Sequence, residues 1–186
     1  MVLFRTYNFY GKHANYMEAL VTPITETLPP FFKRNIDVMF AASVVGFKFN
    51  KKADIDRSTE AIKKTINVEQ IYNEEELVKF LYRLILLSDE SIEPDLEKRI
   101  KMAFSSDVNA NKKTPKEDND SETYSNDYEK LFYQYILGGI EYLYENLIGN
   151  AKDPISNMGN IINEISSTVD SIDSSVPDIT SLEDLN

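Results

Sequence analysis

The 186-residue chain is 42 % apolar, carries a net charge of −11, and contains no cysteine and no tryptophan. This length allows one domain with a hydrophobic core plus appendages, and the lack of cysteine excludes disulfides, thiolate metal sites and cysteine nucleophiles. The first ten residues lack an apolar run of signal-peptide length, and the longest apolar stretch, residues 38–47, is far shorter than the roughly 20 residues that span a bilayer. We therefore expect a cytoplasmic protein with no membrane association.

The charge is distributed unevenly along the chain. Residues 1–116 contain 18 Lys and Arg against 16 Asp and Glu, a net charge of +2. Residues 117–186 contain 2 Lys and Arg against 15 Asp and Glu, a net charge of −13. Such asymmetry is typical of an acidic interaction segment. Because nucleic-acid phosphates repel carboxylates, residues 117–186 are not expected to contact nucleic acid directly.

Apolar periodicity predicts a mainly α-helical fold, in which a compact helical domain begins with a short strand or hairpin and ends with an appended amphipathic helix. Residues 2–10 are rich in β-branched and aromatic side chains and predict a strand that ends at Gly11. Helices are predicted over residues 12–21, 36–45, 73–88, 94–104 and 128–148. The prolines at 23, 29 and 30 predict a loop between the first two helices.

Several local features refine these helices. Asn35 or Asp37 is expected to cap the second helix, and Gly46 is expected to end it. Residues 47–52 alternate between aromatic and polar and predict a short exposed strand or an extended loop. Gly138 and Gly139 lie in the middle of the strongest helix, where each glycine costs about 1 kcal/mol relative to alanine. We interpret this pair as the close approach of another backbone.

The domain organisation follows from composition. Residues 1–149 are predicted to form the helical domain, interrupted by a polar insertion at 105–126 that is expected to be disordered. Residues 150–186 form an acidic tail with a predicted amphipathic helix at 154–173. Six of its apolar residues, here called the heptad stripe, follow each other at steps of three and four and are predicted to bind a partner: Ile155, Met158, Ile162, Ile165, Val169 and Ile172.

The sequence offers no convincing catalytic constellation, cofactor motif or metal site. His13 is the only histidine, and a surface or helix-cap role is expected for it. Asp54 and Asp56 are two residues apart but lack the glycine and the further ligands of a calcium loop. No phosphate-binding loop and no nucleophile elbow occur.

A small basic cluster is the one feature that suggests nucleic acid. Lys48, Lys51 and Lys52 are interleaved with Phe47 and Phe49. Lysines on an exposed edge usually keep it soluble and unpaired. Aromatic rings between them could also stack on the bases of a single strand, so weak nucleic-acid binding remains an alternative.

Three blocks resemble the small proteins associated with bacterial DNA-phosphorothioation (Dnd) defence systems, over roughly residues 31–148. The first is residues 33–47, KRNIDVMFAASVVGF. The second is the acid-started, leucine-rich segment 73–90, and the third is residues 129–147 with its Gly-Gly-Ile-Glu-Tyr-Leu run. The polar insertion and the heptad stripe depart from that pattern. The resemblance implies an accessory role in defence against foreign DNA and supplies no catalytic residue.

The interpretation that fits these features best is a non-catalytic accessory or adaptor subunit of a prokaryotic anti-phage or DNA-processing complex. It would bind a larger partner protein through the helical body and the C-terminal helix, or self-associate through that helix. The alternative is an acidic DNA mimic that inhibits a nuclease or restriction system. A metal-dependent nuclease built from scattered carboxylates is a third hypothesis.

Overall fold

The computed structural model describes residues 3–26, 28–58, 62–91, 93–105, 127–149 and 152–173 and shows a mainly helical fold. Its elements are β1 (Tyr7–Tyr10), α1 (Gly11–Val21), α2 (Asn35–Lys48), β2 (Lys63–Ile66), α3 (Val68–Asn73), α4 (Glu75–Ser88), α5 (Leu96–Ser105), α6 (Asp127–Tyr144), a π-helical turn (Glu145–Gly149) and α7 (Pro154–Asp173). Apart from residue 105, the predicted insertion lies outside the described residues, as do residues 174–186. The expected fold class, a mainly helical domain with a short N-terminal strand or hairpin and an appended C-terminal helix, is confirmed.

The two strands form an antiparallel ladder in which Tyr7 lies opposite Ile66 and Tyr10 opposite Lys63. The sequence predicted β1 but not β2, because β2 reads Lys-Lys-Thr-Ile and only Ile66 is buried. At the end of β1 the chain turns directly into α1 through Gly11, whose φ of +53° suits glycine. Any side chain at this position would also collide with the Asp56 carboxylate.

Helices α2 and α6 pack most extensively and form the centre of the core. Gly139 of α6 lies against the carbonyl group of Ala42, and Gly46 of α2 lies against the carbonyl group of Tyr135, so a β-carbon at either glycine would collide with backbone. Gly138 lies equally close to the carbonyl group of Lys51. The predicted reason for the Gly138–Gly139 pair, close approach of another backbone, is confirmed.

The end of α2 differs from the prediction. Gly46 does not end the helix, which continues to Lys48, because this glycine serves helix packing instead of termination. Of the two alternatives for residues 47–52, the exposed strand is wrong: residues 47 and 48 are helical, and the chain leaves the helix through a turn at Asn50, which has a φ of +50°. The extended loop begins only at Lys51. At the other end, Asn35 is already helical, and Asp37 accepts the backbone N–H of Arg34 at 3.1 Å.

Helix α4 is apolar on two sides. It buries Val78, Leu81, Tyr82, Ile85 and Leu86 against the body. A second row of apolar residues on α4 lies outside, and it consists of Leu77, Phe80 and Leu84. The sequence alone does not show which of the two rows is buried, because apolar residues occupy two sides of α4. The short helix α3, separated from α4 by Glu74, was not predicted.

In the part of the chain that the structure describes, no helix combines the length and the apolar character needed to cross a membrane.

Candidate functional site

The side chain of Asp153 caps the start of helix α7. Asp153 accepts the backbone N–H of Ser156 at 3.1 Å and its hydroxyl group at 2.7 Å, and Pro154 occupies the first helical turn. These hydrogen bonds to Ser156 lower the pKa of the Asp153 carboxyl. The expected C-terminal helix is therefore present, and within the described residues it spans Pro154–Asp173.

The helix packs on the body through one side only. Ile161 is buried with 6 % exposure, and Met158 and Ile165 are partly buried against the core. Ile155 and Ile162 are 64 % and 55 % exposed. The structure thus divides the heptad stripe: Met158 and Ile165 contact the body together with Ile161, which the heptad pattern did not include. Val169 and Ile172 lie in α7, but their side chains are outside the described residues.

A polar contact fixes α7 against the end of α6. The side-chain amide of Asn157 donates a hydrogen bond to the backbone carbonyl group of Asn146 at 2.7 Å. Asn146 lies in the π-helical turn that follows α6. The stacked pair Tyr16 and Tyr144, with ring centroids 3.8 Å apart, holds the end of α6 on α1.

The loop between α1 and α2 lies opposite α7. The backbone N–H of Phe32 donates to the carbonyl group of Leu20 at 3.2 Å, which anchors the end of the loop on α1. The backbone N–H of Ile24 donates to the carbonyl group of Leu28 at 3.2 Å, which closes the loop on itself. Pro29 and Pro30 restrict the backbone between these two contacts.

Between this loop and α7 lies a pocket of about 690 Å³, here called the α7 groove. Its fifteen lining residues are all apolar and come from the loop, α2, α6 and α7: Ile24, Leu28, Pro29, Pro30, Phe31, Phe32, Ala41, Val44, Val45, Leu143, Ile155, Met158, Ile161, Ile162 and Ile165. Four members of the predicted heptad stripe therefore line one cavity. Phe31, Phe32 and Ala41 were not predicted as site residues, although two prolines followed by two phenylalanines are an unusual loop composition.

The chemistry of the α7 groove is that of an apolar receptor. Sites for small polar molecules contain a few placed hydrogen-bonding groups that fix orientation, whereas every side chain that lines this groove is apolar. An apolar group that enters it gains the hydrophobic free energy of leaving water, roughly 25 cal/mol per Å² of buried surface. The groove is therefore suited to apolar side chains of another molecule.

His13 does not occupy the surface or cap position that was expected. It is fully buried, and its Nε2 lies 2.9 Å from Oε1 of Glu141, which also binds the Lys12 ammonium at 2.8 Å. Burial lowers the pKa of His13, against the opposing effect of the Glu141 charge. Its Nδ1 has no hydrogen-bond partner among the described residues. A neutral ring that donates from Nε2 to Glu141 fits this environment, because a proton on Nδ1 would be buried without an acceptor.

Asp54 and Asp56, which the sequence suggested only weakly as a metal site, make hydrogen bonds that stabilise the local fold. Asp56 accepts the backbone N–H of Lys12 at 2.8 Å and that of Ser58 at 2.9 Å, and these bonds lower the pKa of its carboxyl group. Asp54 accepts the side-chain amide of Gln134 at 2.9 Å. Across the described ranges, no group of three His, Asp or Glu side chains is placed to hold a metal ion.

The aromatic rings that suggested base stacking and two lysines of the basic cluster make contacts within the chain, to Tyr135 and Tyr142. Phe47 packs edge-on against Tyr135, and Phe49 is stacked on Tyr142 at 4.6 Å. Lys52 binds Asp89 at 2.8 Å and lies over the ring of Tyr135.

Lys51 lies 5.8 Å above the ring of Tyr142. Lys48 is the basic residue in the last turn of α2. Both phenylalanine rings and at least Lys52 are thus engaged within the chain.

Comparison with known proteins finds no relative: no family model matches the sequence, and neither a characterised protein nor a solved structure is similar to the chain. The site must therefore be interpreted from its own chemistry.

Proposed function

We propose that the chain is a non-catalytic accessory subunit that binds an apolar segment of a partner protein in the α7 groove. The observation that carries this proposal is the wholly apolar lining of a cavity of about 690 Å³ that opens beside two exposed isoleucines, Ile155 and Ile162. Hot spots of protein interfaces cluster in well-packed, fully desolvated pockets, and aromatic anchors are common among them.

The size and shape of the groove favour a helical or extended segment that inserts a few large apolar side chains. Helix-in-groove recognition places anchors at three- and four-residue steps along one face of the bound helix. Two walls of the groove are helices, α2 and α7, and the third is the proline-rich loop. The rim residues Ile155 and Ile162 would contact the parts of the partner that remain outside the pocket.

The cellular setting of this interaction is proposed from the sequence. The resemblance of residues 33–47 and 129–147 to the small Dnd-associated proteins supports a cytoplasmic prokaryotic defence complex that acts on foreign DNA. The acidic charge of residues 117–186 supports a protein partner over a nucleic acid, because carboxylates and phosphates repel each other. Two of these acids act inside the fold: Glu129 is buried and Glu141 binds Lys12 and His13.

Site-specific photo-cross-linking in the producing cell tests the proposal. A benzophenone amino acid is placed at Ile162 on the rim of the groove, with the neighbouring exposed position Asn163 as the matched control. We expect one protein to be captured at position 162 and much less at position 163. The purified partner should then bind the native chain, and Ala41→Phe, which fills the groove, should weaken the complex. Capture that is equal at both positions would contradict the proposal, as would a complex that duplex DNA displaces.

A further inference from the structure

A second apolar surface shares no residue with the α7 groove. Six large apolar residues of α4 and α5 are between 36 % and 59 % exposed, and together they are here called the α4–α5 face: Leu77, Phe80, Leu84, Leu96, Ile100 and Phe104. On α4 they follow at steps of three and four, and on α5 at steps of four, so each set lies on one side of its helix. The inward sides are occupied by other residues, among them Leu81 and Ile85 on α4 and Ala103 on α5.

Contacts between the two helices join the two rows into one surface. The Nε of Arg83 donates a hydrogen bond to the carbonyl group of Ala103 at 3.3 Å. The guanidinium group of Arg83 lies 4.5 Å from the ring centroid of Phe104. Because Arg83 directly precedes Leu84 and lies three residues after Phe80, this contact brings the row on α4 next to the end of the row on α5.

The exposed apolar area of this face is close to the apolar area that a stable dimer interface buries on each partner. Six side chains that are each about half exposed present on the order of 500 Å² of apolar surface, which is at the upper end of the largest patch found on monomeric proteins. A stable interface buries about 800 Å² on each partner, of which about 60 % is apolar. The apolar contribution required is therefore close to the apolar surface available.

The charge of helices α4 and α5 is compatible with the docking of a second copy on this face. The whole chain carries −11, so two copies repel each other over most of their surfaces. Helix α4 contains two acidic and two basic side chains, and α5 contains one acidic and three basic ones. The two helices together therefore carry a net charge of +2, and the four acidic residues between them bring residues 75–105 to −2, far from the −13 of residues 117–186.

The segment that follows α5 in the sequence cannot supply an apolar cover of similar size. Between residues 106 and 126 the only apolar side chains are those of Val108, Ala110, Pro115 and Tyr124. A symmetric pairing, in contrast, would bring six matching residues from the second copy and would place two helices of each chain in a four-helix arrangement.

We propose that the α4–α5 face binds the same face of a second copy of this chain, so that the protein is a two-fold symmetric homodimer. This interface is separate from the α7 groove and leaves both grooves of the dimer open. A bivalent accessory subunit would then present two partner-binding sites, one on each chain.

Sedimentation equilibrium of the full chain tests the dimer. The expected mass is twice 21.4 kDa at micromolar concentration. Phe80→Glu should weaken the association by roughly a thousandfold, because a central hot-spot residue is replaced twice in a symmetric interface. The matched control is Ile162→Glu, since Ile162 is 55 % exposed and Phe80 is 59 % exposed. The control should remain dimeric, and both variants should keep the circular dichroism and melting temperature of the native chain.

Cysteine cross-linking locates the interface. An introduced cysteine is the only thiol of the variant, because the native chain contains none. A single cysteine in place of Leu84 should give a covalent dimer with a short bis-maleimide, whereas one in place of Ile155 should not. A monomeric native chain would overturn the proposal, as would a dimer that Ile162→Glu disrupts and Phe80→Glu does not. Deletion of residues 174–186 is the remaining arm. A dimer that forms only after this deletion would show that the tail covers the face, and would also overturn the proposal.

Discussion

Ile161 and Ile162 are consecutive in α7, yet Ile161 is buried against the body and Ile162 lies exposed on the rim of the α7 groove. Neighbouring residues on a helix point about 100° apart, so one can stabilise the fold while the next serves binding. Both isoleucines line the α7 groove, but only Ile162 is exposed, so its replacement tests the proposed function without disturbing the body.

Replacing these two isoleucines separately should distinguish their roles. Ile161→Ala is expected to lower the free energy of unfolding by about 2–4 kcal/mol, because it leaves a cavity under α7. Ile162→Ala removes a side chain that is mostly in water and should change stability by less than about 0.5 kcal/mol. Urea unfolding measures both values. Similar losses for the two variants would show that α7 does not pack as described.

Gly139→Ala tests the contact between α2 and α6. The new methyl group would collide with the carbonyl group of Ala42, so the two helices must separate, and we expect a loss of about 2–4 kcal/mol. Gly159→Ala in α7 is the matched control, since a β-carbon there meets no atom within 4 Å among the described residues. The control should gain up to about 1 kcal/mol from helix propensity. Thermal unfolding of both variants gives the comparison.

The pH dependence of stability should depend on His13. Burial lowers the pKa of His13 below its ordinary value of 6.5, so below pH 6.5 the unfolded chain binds a proton that the folded chain does not. This contribution is fully present above pH 6.5 and is lost as the pH falls toward the folded-state pKa, by up to about 1.4 kcal/mol per pH unit.

His13→Gln should flatten this part of the profile, measured by urea unfolding between pH 7.5 and pH 5. An unchanged slope in the variant would contradict the buried neutral ring.

Lys52 should behave as a structural residue. It forms an ion pair with Asp89, whose side chain is only 8 % exposed and which also accepts a hydrogen bond from Tyr135 at 2.6 Å. Lys52→Met leaves that carboxylate without its cation, and we expect a loss of about 1–3 kcal/mol. Lys33→Met, at an exposed lysine, should have almost no effect. Unchanged stability in Lys52→Met would favour a role for the basic cluster outside the fold.

Much of the fold follows from local sequence signals. Apolar periodicity predicted the main helices, including α7 from residue 154, and the Gly138–Gly139 pair indicated a backbone crossing. These predictions succeed because each depends on residues close together in the sequence. Gly46 misled the interpretation because glycine is common both after a helix end and at a helix crossing, and only the partner helix distinguishes the two.

The sequence predicted the α7 groove less completely than the helices that form it. Periodicity identified the apolar stripe of α7 but chose Ile162 and omitted Ile161, because two overlapping stripes fit the same helix. The buried face of α4 is ambiguous for the same reason. The α7 groove also depends on Phe31, Phe32 and Ala41, which meet α7 only in the folded chain. The sequence did not indicate that the single histidine would be buried and hydrogen-bonded to Glu141, 128 residues away.

The most direct test of the proposed function is the dissociation constant of the cross-linked partner for three purified chains, measured by titration calorimetry. Ala41→Phe fills the α7 groove and should raise this constant at least tenfold, whereas Phe80→Glu on the α4–α5 face should leave the affinity of each chain unchanged. Native circular dichroism for both variants is the control for folding. Equal affinity of the native chain and Ala41→Phe would contradict the account.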